Sequence, residues 1–315
     1  MIEHCLYGLG VFSEFPLFQS GAPMSSAAPG VHRPLQLRAM PEHSPRYNAP
    51  VTIPLHWAHD RELYLHSDRE LACSVAGQPW RFEVKSVLSI SWIGGDPAVY
   101  FELEPAGSRE LLVFWFVHIF LPLYLTLERG QDFIHSAAVE IGDRPVLFLA
   151  PSTGGKSTLG DYFLRQGHPM LSDDKVATML YRGEFYALPS HPHHRPFRQY
   201  EVLGNPVSRY AIHPRPIHAI YLLQKGSADC AVSINEVRGF RKFEQLLPHY
   251  LYSFPFMQKQ RLQWLAQLVD RTPVFSMRRP WNLDRLHDSY TALCRHSSGL
   301  PLAAAPDVRE VTTVN

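Results

Sequence analysis

The stretch that most restricts what this chain can become is "RPVLFLAPSTGGKSTL", Arg144 to Leu159. An apolar run of strand length leads into small residues, and an amphipathic helix is expected over 156–166. Leu159, Tyr162 and Phe163 share one face of that helix, and Gly167 stops it. Strand, glycine turn and helix in this order call for an α/β core. The turn also carries chemistry. Small residues let successive backbone N–H groups point inward onto phosphate oxygens, and the helix N-terminus adds partial positive charge. Against the phosphate-loop pattern GxxxxGK[ST], Ala150 stands at the first glycine and Gly155-Lys156 follow at the correct interval. Ala150 ends a strand, where alanine is tolerated at negative φ. Ser152, Thr153, Gly154 and Gly155 supply the cradle for the phosphates of ATP. Lys156 reaches the β- and γ-phosphates, Ser157 offers its hydroxyl to Mg²⁺, and Thr158 supports the α- or β-phosphate.

A second element follows one crossover later. "PML" reads as a short strand ending at Ser172-Asp173-Asp174. A strand parallel to the first delivers these carboxylates to the loop's edge of the sheet. Mg²⁺ takes hard oxygen ligands, so one carboxylate holds the metal while the other accepts the proton of an incoming hydroxyl.

Elsewhere the sequence sets bounds. A net charge of +1 gives no bulk attraction to nucleic acid or to an anionic membrane. The 4 cysteines lie far apart without a CxxC pair, which fits reduced thiols and a cytoplasmic location. "LLVFWFVHIFLPLYLTL", Leu111 to Leu127, is apolar enough to suggest a membrane span, but His118, Pro122 and the flanking charges favour a buried central helix. The division expected is a poorly ordered leader over 1–50, a small β-rich lobe plus the apolar helix over 51–130, a core with C-terminal helices over 131–297, and a tail over 298–315. "FIHSAAVEI" reads as one β run, and residues 190 to 215 as a long surface loop. Within that loop Arg195 and Arg198 are candidate clamps for a phosphate or a peptide carboxylate, as are Arg278 and Arg279 later. Trp264, Leu265 and Leu268 recur at helical spacing and are assigned to the core.

Taken in order, "HSAAVEIGDRPVLFLAPSTGGKSTLGDYFLRQGHPMLSDDKVATML", His135 to Leu180, resembles the HPr kinase/phosphorylase family. The histidine in a strand, the GKST loop, the RxGH helix end and SDD carry the resemblance. It implies an α/β fold whose kinase core is related to that of phosphoenolpyruvate carboxykinase. It further implies transfer of phosphate from ATP to a serine hydroxyl with Mg²⁺. Carried over by position, Asp173 is the general base, Asp174 the magnesium ligand beside Ser157, and His135 the family's histidine next to the loop. The two aspartate roles can exchange. The family's rings imply a homo-oligomer. The family's acidic-Ile/Val-Arg-Gly signature has no match close behind the aspartates, and "EVRG" occurs only at Glu236–Gly239. The N-terminal lobe also departs from the usual regulatory domain. Diverged members phosphorylate a precursor peptide, such as a lasso peptide, at a C-terminal serine. The expected activity is therefore a serine kinase acting on a peptide or small protein. A small-metabolite kinase and a non-catalytic ATP-binding module are the alternatives.

Overall fold

A turn at Tyr7 and Gly8, with φ of 53° and 80°, closes a hairpin between β1 (Ile2–Leu6) and β2 (Leu9–Ser13). Two successive positive φ values match the twist of the flanking strands. The computed structural model describes residues 1–19, 24–28, 33–42, 49–55, 61–95, 97–195 and 201–301. Six more strands follow: β3 (Leu35–Ala39), β4 (Val51–Leu55), β5 (Leu63–Ser67), β6 (Trp80–Val84), β7 (Leu88–Trp92) and β8 (Ala98–Leu103). Together they form an eight-stranded sheet in the order β1-β2-β3-β8-β7-β6-β5-β4. The expectation of a loosely ordered leader is thus corrected, because residues before 50 contribute three strands. The physical reason is period-two burial: Leu6, Leu9, Val11, Leu35 and Leu37 all face the interior.

The apolar segment is a helix in three parts, α1 (Arg109–Trp115), a π turn over Phe116–Phe120, and α2 (Leu121–Arg129). Ser108 caps it by accepting from the Leu111 N–H. Pro122 has no N–H to offer the turn before it, and the Leu121 N–H reaches back to the Phe116 carbonyl. The eight-stranded sheet covers one side, with Trp80 against Phe120 at 5.2 Å and Trp92 against Tyr124 at 5.3 Å. Of its most apolar window, 83% is buried inside the protein, which is why it is hydrophobic all round.

The rest of the chain comprises β9 (Asp132–His135), β10 (Ala137–Ile141), β11 (Arg144–Leu149), α3 (Lys156–Arg165), β12 (Met170–Ser172), β13 (Lys175–Tyr181), β14 (Glu184–Leu188), β15 (His193–His194), β16 (Asn205–Pro206), β17 (Arg215–Pro216), β18 (Ala219–Gly226), β19 (Ser233–Glu236), α4 (Phe240–Leu246), α5 (Gln258–Arg271), β20 (Val274–Pro280) and α6 (Leu286–Gly299). A six-stranded sheet runs β12-β10-β11-β18-β20-β19, a four-stranded one β17-β14-β13-β9, and β15 pairs with β16. "FIHSAAVEI" is two strands rather than one. The chain passes at Ser136 from the four-stranded to the six-stranded sheet. Leu159 and Phe163 of α3 and Leu293 of α6 pack with Phe148 and Tyr221 in one core. Leu147 and Leu149 join Trp264, Leu265 and Leu268 of α5 in another.

The expectation of a surface loop from 190 is also corrected. Ser190, His191, His193 and His194 are buried. The N-terminal segment covers them: the Tyr7 N–H donates to Pro189 O at 2.8 Å, and Phe18 lies 5.2 Å from the His193 ring.

Candidate active site

The glycine turn at the end of β11 is shaped by two constraints that only glycine meets. A Cβ on Gly154 would lie 2.4 Å from that of Ala150. Gly155, the N-cap of α3, has φ 81°, and a Cβ there would stand 2.1 Å from Arg279 Nη2. Thr153 also has positive φ, at 61°, a strained position for a β-branched residue. Ser152 and Thr153 are exposed at the loop tip, Ser157 and Thr158 are half-buried on the first turn of α3, and Lys156 is buried. The Lys156 ammonium folds back and donates to Ala150 O at 2.7 Å and Pro151 O at 3.5 Å. It therefore sits inside the loop rather than in solvent.

Behind the loop stands one of the two candidate clamps of the late strand. Arg279, on β20, is 3% exposed, and its Nη2 donates to Gly154 O at 3.2 Å and Gly155 O at 3.4 Å. Burial pulls its pKa below the ordinary arginine value, and among the described residues no carboxylate pairs with it. A buried guanidinium that donates to carbonyls, with no counter-charge among the described residues, adds positive potential to the cradle. By holding the outer carbonyls it also fixes the peptide planes of the loop. Trp281 lies beside it, with the Arg279 guanidinium 5.2 Å and Lys225 Nζ 4.1 Å from the indole centroid. Arg278, its neighbour on the strand, is exposed.

The aspartates reach the same edge by a route the sequence did not suggest. β12 is not the direct neighbour of β11, because β10 lies between them and is antiparallel to both. The two outer strands thus point the same way. Ala138 aligns with Ser172 on one side and Leu147 on the other, and the Ser136 N–H donates to Asp174 O at 3.2 Å. Asp173 and Asp174 therefore leave the sheet level with the start of the loop, about 10 Å away across two strand spacings.

Their side chains have different surroundings. Asp174 keeps 27% of its side-chain surface exposed and lies 3.1 Å from both His135 Nε2 and Lys175 Nζ. Burial pushes its pKa up, but the Lys175 charge, the His135 hydrogen bond and the charges of His135 and Arg195 outweigh it. The carboxyl is held well below the usual range. Asp173 is more enclosed. Its Oδ2 accepts the Arg195 N–H at 2.8 Å, and its Oδ1 lies 3.0 Å from His194 Nδ1. Arg195 is thus brought to the site through its backbone, while its guanidinium stacks on Phe114 at 5.5 Å. Arg198 lies outside the described residues.

His249, unremarked in the sequence, joins the two halves. It lines a cleft of about 510 Å³ with Ala150, Pro151, Ser152, Gly154, Gln224 and Lys225. Burial, and then the charges of Lys156 and His135, lower its pKa to about 4. One imidazole therefore senses both the loop lysine and the histidine paired with Asp174. Nothing around "PHY" marks this residue locally, since its position depends on α4 packing over the sheet edge.

No protein-family model and no curated protein matches the chain. Among solved structures, the Hpr(Ser) kinase/phosphatase from Coxiella burnetii shows a weak likeness. It has a TM-score of 0.32 and 13% identity, over 53% of this chain and 97% of that one.

Proposed function

We propose that this protein is an ATP-dependent phosphotransferase that delivers the γ-phosphoryl group to a serine hydroxyl of a peptide or small protein, with Mg²⁺. The observation that carries the reading is the shared sheet edge. A glycine loop backed by a buried arginine that has no carboxylate partner among the described residues shares its edge with a carboxylate pair two strands away. A cation without a counter-charge at the loop suits a polyanion.

Hard oxygens for Mg²⁺ are present in Ser157 and Asp174, whose depressed pKa keeps it anionic at neutral pH. Held by these residues, Mg²⁺ would supply charge neutralisation for the phosphates. Lys156 leaves its two carbonyls to meet the β- and γ-phosphates, and Arg279 holds the loop amides toward them. Asp173 accepts the hydroxyl proton as the serine oxygen bonds to the γ-phosphorus. The bond from that phosphorus to the β-bridging oxygen breaks, and ADP leaves.

The test is transfer of radiolabelled γ-phosphate to a serine-containing peptide library, beside free serine and other small hydroxylated metabolites. Lys156→Ala is expected to lower transfer by roughly 10²–10³-fold. ATP binding without transfer to any acceptor favours a binding module, and preferential labelling of a metabolite moves the acceptor class. Unchanged transfer in Lys156→Ala ends the loop assignment.

A further inference from the structure

His194 occupies a place that the sequence reading left to a polar surface loop. It lies on β15, whose pairing sets His194 opposite Asn205 and His193 opposite Pro206. Its ring is buried between two carboxylates, with Nδ1 3.0 Å from Asp173 Oδ1 and Nε2 3.7 Å from Asp161 Oδ1. Asp161 is on α3, one turn beyond Ser157, and pairs with Arg165 at 2.5 Å. The next residue completes the grip, since the Arg195 N–H donates to the second oxygen of Asp173. The other histidines of the segment have aromatic neighbours instead. His191 packs edge-on against His118 at 4.7 Å, and His193 lies against Phe18.

From this geometry we infer that His194 is a positioning residue for Asp173, holding the proposed base beside β15. The inference rests on the reading of Asp173 as the base. Nδ1 stands 3.0 Å from Asp173 Oδ1, where a proton on Nδ1 turns the ring's positive edge to the carboxylate, although the alignment falls short of a hydrogen bond. The Nε2 side, 3.7 Å from Asp161 Oδ1, is too far for a hydrogen bond. The Arg195 amide on one oxygen and the close imidazole on the other restrict the rotation of this enclosed carboxylate about Cβ–Cγ. The direction in which Asp173 presents its remaining lone pairs is then set by β15 and the Arg195 amide that follows it. A base misplaced by about 1 Å can cost roughly 10²-fold in rate, so the arrangement bears on turnover rather than on nucleotide affinity.

The test compares His194→Ala, His194→Asn and His194→Gln. Asparagine places its N–H₂ where Nδ1 stands, and glutamine places its own where Nε2 stands. His194→Ala is expected to lower kcat by roughly 10–100-fold with KM for ATP within about twofold. His194→Asn is expected to restore most of the loss, and His194→Gln not to. Thermal midpoints and circular dichroism identify any variant that fails to fold. If His194→Ala turns over like wild type, or if asparagine and glutamine behave alike, His194 has no positioning role. Nitrogen-15 NMR of the imidazole reads the same contact without turnover. A protonated Nδ1 whose resonance moves in Asp173→Asn supports the inference, and a ring protonated only on Nε2 overturns it. Absence of transfer by the wild-type protein counts against the phosphotransferase reading, and the NMR result still decides whether His194 holds Asp173.

Discussion

Asparagine in place of Asp132 should stabilise this protein at neutral pH and leave it unchanged in mild acid. Asp132 opens β9, is 8% exposed, and accepts the Tyr250 hydroxyl at 2.5 Å. Burial raises its pKa from 3.8 to about 6, partly offset by that hydrogen bond. A raised carboxyl pKa means that the folded state binds the proton more tightly. The associated stability is full below pH 3.8 and is lost as pH rises through about 6. The shift is about 2 units, so the loss is about 3 kcal/mol. An asparagine oxygen can still accept from Tyr250 but never ionises. The variant is therefore expected to match wild type near pH 4 and to exceed it by about 3 kcal/mol at pH 8. His249 works in the opposite sense. Its folded pKa of about 4 lies below the ordinary histidine value of 6.5, so stability is full above pH 6.5 and falls as pH drops toward 4. In the wild-type curve the two contributions offset one another, but in the difference between variant and wild type His249 cancels. Urea denaturation followed by tryptophan fluorescence from pH 4.5 to 8 measures that difference. A variant that is equally or less stable at pH 8 refutes the assignment of an ionised, poorly solvated Asp132.

Two further substitutions probe the loop. Arg279→Met removes the buried guanidinium. At an effective dielectric of 20 and a separation of roughly 7 Å from one phosphate charge, it contributes about 2 kcal/mol. Titration calorimetry should therefore show MgATP binding weakened by roughly 30-fold, and unchanged affinity removes Arg279 from the cradle. Gly155→Ala places a methyl group against Arg279 at positive φ. It should cost about 1–3 kcal/mol of stability by thermal denaturation together with nucleotide binding, and a fully stable Gly155→Ala protein contradicts the described turn.

Local pattern made the loop, helix α3 and most strands legible, because each is a contiguous signal. "RPVLFLA" has strand length, Gly142-Asp143 has the φ values of a hairpin turn, and Gly167 ends α3 at φ 88°. What was missed depends on distant partners. β1 and β2 alternate clearly around Tyr7-Gly8, but proline and serine farther along the leader dominate its composition. β3 is completed only by pairing with β8. His191 to His194 are polar in sequence, yet the N-terminal segment buries them. In "SMRRP", neighbouring arginines must face opposite sides of β20. Which of them reaches the loop is set by the order β11-β18-β20, and adjacent residues cannot encode that order.

That order also explains why the two halves of the site need one another. Lys156, Arg279 and Lys225 crowd the loop side, and Arg279 meets carbonyls and the Trp281 ring but no carboxylate among the described residues. Across two strands, Asp174 is already balanced by Lys175 and His135, while Asp173 is held by His194 and the Arg195 amide. A polyanion laid on the loop relieves the buried charge at one end and meets carboxylates at the other. Repulsion there is smallest at Asp174, which lies against the Lys175 ammonium. Charge therefore increases across the cleft from the carboxylates to the loop. His249, kept neutral between Lys156 and His135, adds no charge to either end. A cation substituted at that point, as in His249→Lys, should level the gradient and pull a triphosphate away from the aspartates. Nucleotide would then bind more tightly while transfer falls. Parallel gains in both, measured by calorimetry and radiolabel transfer, would show that the gradient does not orient the substrate.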